Sequence, residues 1–142
     1  MSNLRAPKRT SACPCQSGKP YGECCRPYHR RTQEAPDPEA LMRSRYSAFA
    51  IGEIDYLVAT LHPEHAEKKN LPEEMLRSSL RAACRDHRYT GLTILETSVD
   101  GDRGMVRFVA KVFQRGKDIS FSERSTFERV GGAWRYLEGE TA

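Results

Sequence analysis

Four of the five cysteines in this 142-residue chain lie within a span of thirteen residues, and their spacing constrains the local fold more than any other feature. They form two close pairs, Cys13 with Cys15 and Cys24 with Cys25. Between the pairs, Gly18 can adopt a positive φ and so reverse the chain direction. Zinc binds four ligands in a tetrahedron, and thiolate sulfur is a common one. The spacing therefore predicts a zinc site at the N-terminus.

Other uses of these cysteines remain open at this point. Disulfides are typical of secreted proteins, but residues 2–9 are polar and basic and do not form a signal peptide. A disulfide between the adjacent Cys24 and Cys25 would also be strained. A dithiol redox site or inert thiols are further alternatives, although nothing in the sequence indicates a lowered thiol pKa. The odd number of cysteines fits a reducing compartment, so we expect the protein in the cytoplasm.

Positive charge is concentrated near the N-terminus. Residues 1–33 contain seven Lys or Arg and one acid, a formal charge of +6, whereas the other 109 residues contain 16 basic and 18 acidic side chains, a charge of −2. A basic segment of this kind indicates contact with a protein, ribosomal or RNA surface, and a solvated basic tail is the alternative. No apolar run approaches 18 residues, so we expect no membrane span.

The chain divides into four parts. We expect a disordered tail over residues 1–11, a zinc-binding head over 12–31, a polar linker over 32–36 and a globular domain over 37–142. Apolar periodicity in the domain predicts three helices. The first begins with Asp37 as N-cap and ends at Gly52, the second covers residues 53–61, and the third begins at Asn70 with Glu73 as a capping-box partner.

Beyond the helices the apolar period changes to two, which predicts strands. The first two end at turns over residues 100–102 and 115–118, and the third, over 119–130, is expected to be the longest. The Gly131-Gly132 pair predicts a hairpin into a last strand. Helices followed by a meander indicate an α+β domain, in which a curved antiparallel sheet packs against the helices.

The cysteine-rich stretch resembles a known motif. The pattern Cys13-x-Cys15-x-Ser17-Gly18-Lys19-x-Tyr21-x-x-Cys24-Cys25 is similar to the SEC-C zinc motif, best known from the C-terminal tail of the SecA translocase ATPase. The resemblance implies that Zn²⁺ is the cofactor and that its ligands are Cys13, Cys15, Cys24 and Cys25. His29 is an alternative fourth ligand, because its distance from Cys24 falls within usual ligand spacing.

The domain carries a second resemblance. Residues 41–50, 56–63, 123–127 and 132–136 look like signature segments of the YchJ family. That family is similar to nuclear transport factor 2 (NTF2)-like domains, cone-shaped α+β folds in which a concave sheet faces a pocket. The resemblance implies a fold and does not by itself assign an activity.

Several residues are candidates for lining such a pocket. Strict alternation places Glu123 and Ser125 on the same face of the third strand as two phenylalanines. Glu123 could then act as a general base, although an ion pair with Arg43 or Arg45 is the structural alternative. The full set of candidates is Arg43, Arg45, Tyr46, His62, Glu123, Ser125, Trp134 and Tyr136. By contrast, we expect His65 and His87 at the surface and Cys84 in the core.

These observations support two hypotheses about function. The first is a cytoplasmic zinc-binding or adaptor protein whose head contacts a protein, ribosomal or RNA surface. The alternative is a pocket enzyme, a hydrolase or isomerase with Glu123 as base and Arg45 or Tyr46 stabilising negative charge. A homodimer through the open sheet is compatible with either hypothesis.

Overall fold

A computed structural model describes residues 7–142. In these residues, five α-helices come first and one antiparallel sheet follows, so the predicted α+β class is confirmed. The helices are α1 (Arg26–His29), α2 (Pro38–Ile51), α3 (Ile54–Ala59), α4 (Ala66–Asn70) and α5 (Glu73–Asp86). The strands are β1 (Arg88–Asp100), β2 (Arg103–Gln114), β3 (Lys117–Asp118), β4 (Phe121–Val130) and β5 (Ala133–Thr141).

The ends of α2 lie where the sequence predicted them. Asp37 is the N-cap, and its carboxylate accepts a hydrogen bond of 2.8 Å from the backbone N–H of Ala40. Pro38 occupies the first turn, where a missing N–H costs nothing. Gly52 ends the helix in the left-handed conformation, with φ of 82°.

The predicted start of the third helix is wrong. Asn70 is the last residue of α4, a short helix that the sequence analysis missed, and α5 begins after Pro72. Pro72 is the N-cap of α5, and no side chain caps that end. The capping box therefore does not form, because Pro72 interrupts the helical backbone between Asn70 and Glu73.

The four long strands pair in the order β1-β2-β4-β5, and β3 pairs with the end of β2. The strand predicted to be longest is shorter than expected, because β4 begins only at Phe121 and both β1 and β2 exceed it. Gly131 and Gly132 both have positive φ, 59° and 85°, which confirms the predicted hairpin between β4 and β5. The register shifts in the β1–β2 and β4–β5 pairs place the extra residues in β1 and β5, and these bulges curve the sheet.

The core lies between the helices and the concave face of the sheet. It combines buried apolar side chains of α2, α3 and α5 with those of β1, β2, β4 and β5. Cys84 is among them at 1% exposure, as predicted. Among the described residues, no helix is both long enough and apolar enough to cross a lipid bilayer.

Parts of the predicted tail and linker belong to the folded structure. Ser11 and Arg9 accept backbone hydrogen bonds from Tyr21 and Gly22 at 2.8 and 2.9 Å, so residues 8–11 belong to the head. Residues 1–6 of the predicted tail lie outside the described residues. In the predicted linker, Ala35 is buried in the core of the domain.

Candidate metal centre and cavity

The side chains of Cys13, Cys15, Cys24 and Cys25 converge. Their four sulfur atoms all lie within 4.8 Å of one another. Cys13, Cys15 and Cys25 are buried, and Cys24 is partly exposed. All four cysteines are free thiols, so the structure gives no support to a disulfide framework.

Tight backbone turns bring these cysteines together. Gln16 and Gly18 both have positive φ, 67° and 88°, and the N–H of Cys13 donates to the carbonyl of Lys19 at 2.9 Å. Ser17 lies inside the turn, with its hydroxyl 3.1 Å from the sulfur of Cys24. The turn therefore folds the first cysteine pair back onto the second.

The cluster fits a tetrahedral metal ion. Four sulfurs about 2.3 Å from one zinc ion would be about 3.8 Å apart. The sulfur of Cys24 lies 3.5 Å from that of Cys15 and 3.9 Å from that of Cys25. The thiols thus have the spacing of a four-coordinate site. Four protein ligands would leave no open position for a substrate.

Crowding shifts the pKa values of the thiols in opposite directions. Hydrogen bonds from the Cys13 thiol are the main cause that lowers the pKa of Cys15, and they lower the pKa of Cys24 to about 6. The pKa of Cys25 is raised, first by its contacts with the other thiols and then by burial. Four thiolates in so small a volume repel one another, and a bound dication would offset that repulsion.

His29, the alternative ligand, is occupied elsewhere. Its Nδ1 lies 2.7 Å from the hydroxyl of Tyr21, and its Nε2 lies 2.8 Å from the backbone carbonyl of Ser44. A carbonyl can only accept, so Nε2 carries the proton and Nδ1 accepts from Tyr21. Nδ1 therefore bonds within the head, Nε2 joins the head to α2, and His29 is not part of the cysteine cluster.

Two further contacts attach the metal centre to α2. Arg43 donates through Nη1 to the carbonyl of Cys15 at 2.8 Å, and its Nε pairs with Glu39 at 3.0 Å. Ile51 packs against the buried cysteines. Arg43 therefore supports the head and does not line the pocket for which it was a candidate.

The cations of the head face solvent. Lys8, Arg9, Lys19, Arg30 and Arg31 are exposed, and none of them forms an ion pair with any residue in the range 7–142. By contrast, nine of the sixteen Lys and Arg residues in the rest of the chain are paired. The head thus carries a concentrated positive charge that no ion pair within residues 7–142 offsets.

A cavity of about 360 Å³ opens between the helices and the concave face of the sheet. This volume falls in the range of small-molecule sites. Most of the wall is apolar, and seven aromatic side chains contribute to it: Tyr46, Phe49, Tyr89, Phe108, Phe121, Phe127 and Tyr136.

Glu123 is one of two acids in the wall of this cavity, the other being Glu67, and Ser125 and Tyr136 lie beside Glu123. Its Oε2 accepts hydrogen bonds from the hydroxyls of Ser125, at 2.5 Å, and Tyr136, at 3.0 Å. The predicted ion pair with Arg43 or Arg45 does not form. Arg45 donates through Nη1 to the carbonyl of Leu57 and to the hydroxyl of Thr60, and its guanidinium stacks 5.0 Å from the ring centre of Tyr136.

Three other pocket candidates have different roles. The hydroxyl of Tyr46 donates to the carbonyl of Gly91 and accepts from its N–H, so it is not free to stabilise charge on a substrate. His62 contacts Glu128 at 2.9 Å, away from the cavity. Trp134 is buried in the core at 3% exposure.

Two histidines and a glycine of this site were not predicted from the sequence. His65 and His87, expected at the surface, are half-buried and line the cavity. Gly139 lies opposite Ser125 in the sheet, and a Cβ there would collide with the carboxylate of Glu123 and the hydroxyl of Tyr136. No local pattern marks these three residues, because helix packing and strand register bring them to the site.

Comparison with known proteins gives two family matches. Residues 37–139 match the model of the YchJ middle NTF2-like domain, and residues 9–27 match the SEC-C motif. Among curated relatives, a UPF0225 protein of Pectobacterium carotovorum is 38% identical over 135 residues, covering 92% of this chain and 83% of that protein.

Two solved structures extend the comparison. The solution structure of a SEC-C motif containing protein from Rhodopseudomonas palustris has 38% identity and a TM-score of 0.82, covering 93% of this chain and 99% of that one. The crystal structure of a SEC-C motif containing protein from Psychrobacter arcticus has 24% identity and a TM-score of 0.77, covering 94% of this chain and 84% of that one. At that identity, the second likeness shows the fold alone.

Proposed function

This chain belongs to the YchJ family, and on that premise we propose that it is a zinc-holding binding protein whose head contacts an anionic macromolecular surface, RNA or acidic protein. The zinc ion, bound by Cys13, Cys15, Cys24 and Cys25, holds the head in shape. Thiolate ligands must stay reduced, so the cytoplasm is the compartment in which this protein works.

The observation that carries the proposal is the set of exposed, unpaired cations on the head. Surface cations that already have acidic partners contribute little to binding a further anion, whereas free ones attract it. The head has few buried apolar side chains of its own, so the zinc ion would hold its backbone, and with it these cations, in a fixed arrangement. The hydrogen bonds of His29 and Arg43 fix that shape relative to the domain.

Metal analysis tests the first half of the proposal. Purified protein should contain about one zinc ion per chain. The double substitution Cys24→Ser and Cys25→Ser should abolish this zinc content, because hydroxyls are poor zinc ligands. Protein isolated without metal, yet with an unchanged head by NMR, would contradict a structural zinc site.

Charge reversal tests the second half. In one variant, Lys19→Glu and Arg30→Glu reverse two exposed head cations. In the matched control, Arg88→Glu and Lys117→Glu reverse two exposed cations of the sheet, so both variants have the same net charge. Binding to RNA, to ribosomes and to polyglutamate would be measured at several salt concentrations.

We expect the head variant to lose binding to one of these partners and the control to keep it. If the partner is RNA, the slope of affinity against salt concentration should fall by about one for each phosphate group that the variant no longer binds. Equal losses in both variants would mean that only net charge matters, and the head would then not be the recognition surface.

A second candidate function is an enzyme of the hydrolase or isomerase type, with Glu123 as general base. The observation in its favour is that Oε1 of Glu123 has no hydrogen-bond partner among the described residues, so it is free to accept a proton. A metabolite screen would test it. Turnover that survives Glu123→Gln unchanged would rule out this base.

A further inference from the structure

The charges around the cavity are unequal. Two acids, Glu123 and Glu67, line it, and Arg45 is its one Lys or Arg among the described residues. Burial lowers the pKa of His65, which therefore stays neutral at pH 7. Its Nδ1 also accepts a hydrogen bond from the backbone N–H of Glu67, a contact that the neutral ring makes.

Arg45 is held on the helix side of the cavity. The side chain is 6% exposed, and its Nη1 is already bound to the carbonyl of Leu57 and the hydroxyl of Thr60. Its guanidinium also packs against the ring of Tyr136. Arg45 thus stabilises the helix side of the cavity, and its low exposure leaves little of its side chain in reach of a ligand entering from solvent.

Glu123, unlike Arg45, keeps one charged atom available for a ligand. Ser125 and Tyr136 both bond to Oε2, and Oε1 has no partner among residues 7–142. Gly139 lets the carboxylate approach β5 closely, because any larger side chain would occupy that space. The hydrogen bonds and this close approach fix the direction of the free oxygen.

From this arrangement we propose that the cavity binds a small organic cation: a primary amine on an apolar body, with its ammonium group on Glu123. A charge-assisted hydrogen bond to a carboxylate is roughly twice as strong as a neutral one. The aromatic walls stabilise a cation through their ring faces and contact the apolar body as well. An anionic ligand would place its charge beside Glu123.

Three probes of matched length test the charge preference: hexylamine, hexanol and hexanoate. Each would be titrated into the full chain, and binding would be followed by NMR shifts of residues in β4 and β5. We expect hexylamine to bind about tenfold more tightly than hexanol, and hexanoate to bind most weakly. This order of affinities tests the charge preference on the unmodified protein.

Two variants then locate the preference. Glu123→Gln keeps the size of the side chain and should remove the tenfold advantage of the amine over hexanol. Glu140→Gln, an exposed change on β5, is the matched control and should alter neither probe. A thermal melt checks that both variants are folded.

Several outcomes would overturn the proposal. They are hexanoate binding most tightly, equal affinity for all three probes, no binding of any probe, or full amine binding by folded Glu123→Gln protein. None of them bears on the role proposed for the head, because the probes do not contact it. The ligand of the cavity and the partner of the head are therefore tested separately.

Discussion

The substitution His29→Phe separates the two possible ligand sets of the metal centre. Phenylalanine keeps a ring of similar size at this buried position but has neither nitrogen. If His29 joins the head to α2, as its contacts indicate, the variant should be less stable and should keep its metal. If His29 is a ligand, the metal should be lost.

The expected loss of stability follows from the two hydrogen bonds. The hydroxyl of Tyr21 is buried, and leaving it without a partner costs about 1–3 kcal/mol. The carbonyl of Ser44 loses its contact with His29 but still accepts a hydrogen bond from the hydroxyl of Ser47 at 3.1 Å. Losing the His29 contact should therefore cost about as much as one ordinary hydrogen bond, about 1 kcal/mol. The free energy of unfolding should therefore fall by about 2–4 kcal/mol.

Denaturant unfolding and metal analysis on the same samples check both parts. The double variant Tyr21→Phe with His29→Phe is the control, because it removes both hydrogen-bonding groups. It should be less destabilised than the sum of the single variants, by about 1–3 kcal/mol. Additive effects, or loss of zinc in His29→Phe with retention in Cys25→Ser, would refute the reasoning.

Three further predictions rest on single contacts or groups. Asp37→Ala removes the cap that binds the N–H of Ala40 and should lower the free energy of unfolding by about 1 kcal/mol, whereas Asp37→Asn should retain most of it, as denaturant titration would show. Gly139→Ala should cost about 1–3 kcal/mol through its collision with Glu123, and an unchanged melting temperature would contradict this. Burial lowers the pKa of His29 below its usual 6.5, so the unfolded chain takes up a proton first and stability should fall as the pH drops below that value. His29→Phe should weaken this part of the pH profile, which unfolding measured across the pH range would reveal.

Much of the architecture was predictable because its signals are local. An N-cap acid, a left-handed glycine and a Gly-Gly hairpin each determine the backbone within a few residues, and all three lie where predicted. The start of α5 was not predictable in the same way. A plausible capping pair was present in the sequence, but Pro72 between its members ended one helix and began another.

The site was predictable only in part, because only some of its signals are local. Alternation along β4 correctly placed Glu123 and Ser125 in the wall of the cavity. It could not show that Tyr136, rather than an arginine, contacts Glu123, because that contact depends on the register between β4 and β5 and on a bulge in β5. Nor could it identify His65 or His87, since these reach the cavity through the packing of separate elements.

By itself, the sequence determined the family, the fold class and the cluster of four cysteines, because both cysteine pairs and the turn that joins them lie within thirteen consecutive residues. Only the tertiary structure decided what His29, Arg43 and Glu123 contact. Those contacts join residues that are distant along the chain, and a distance of that kind is set by packing and strand register, which no short stretch of sequence encodes.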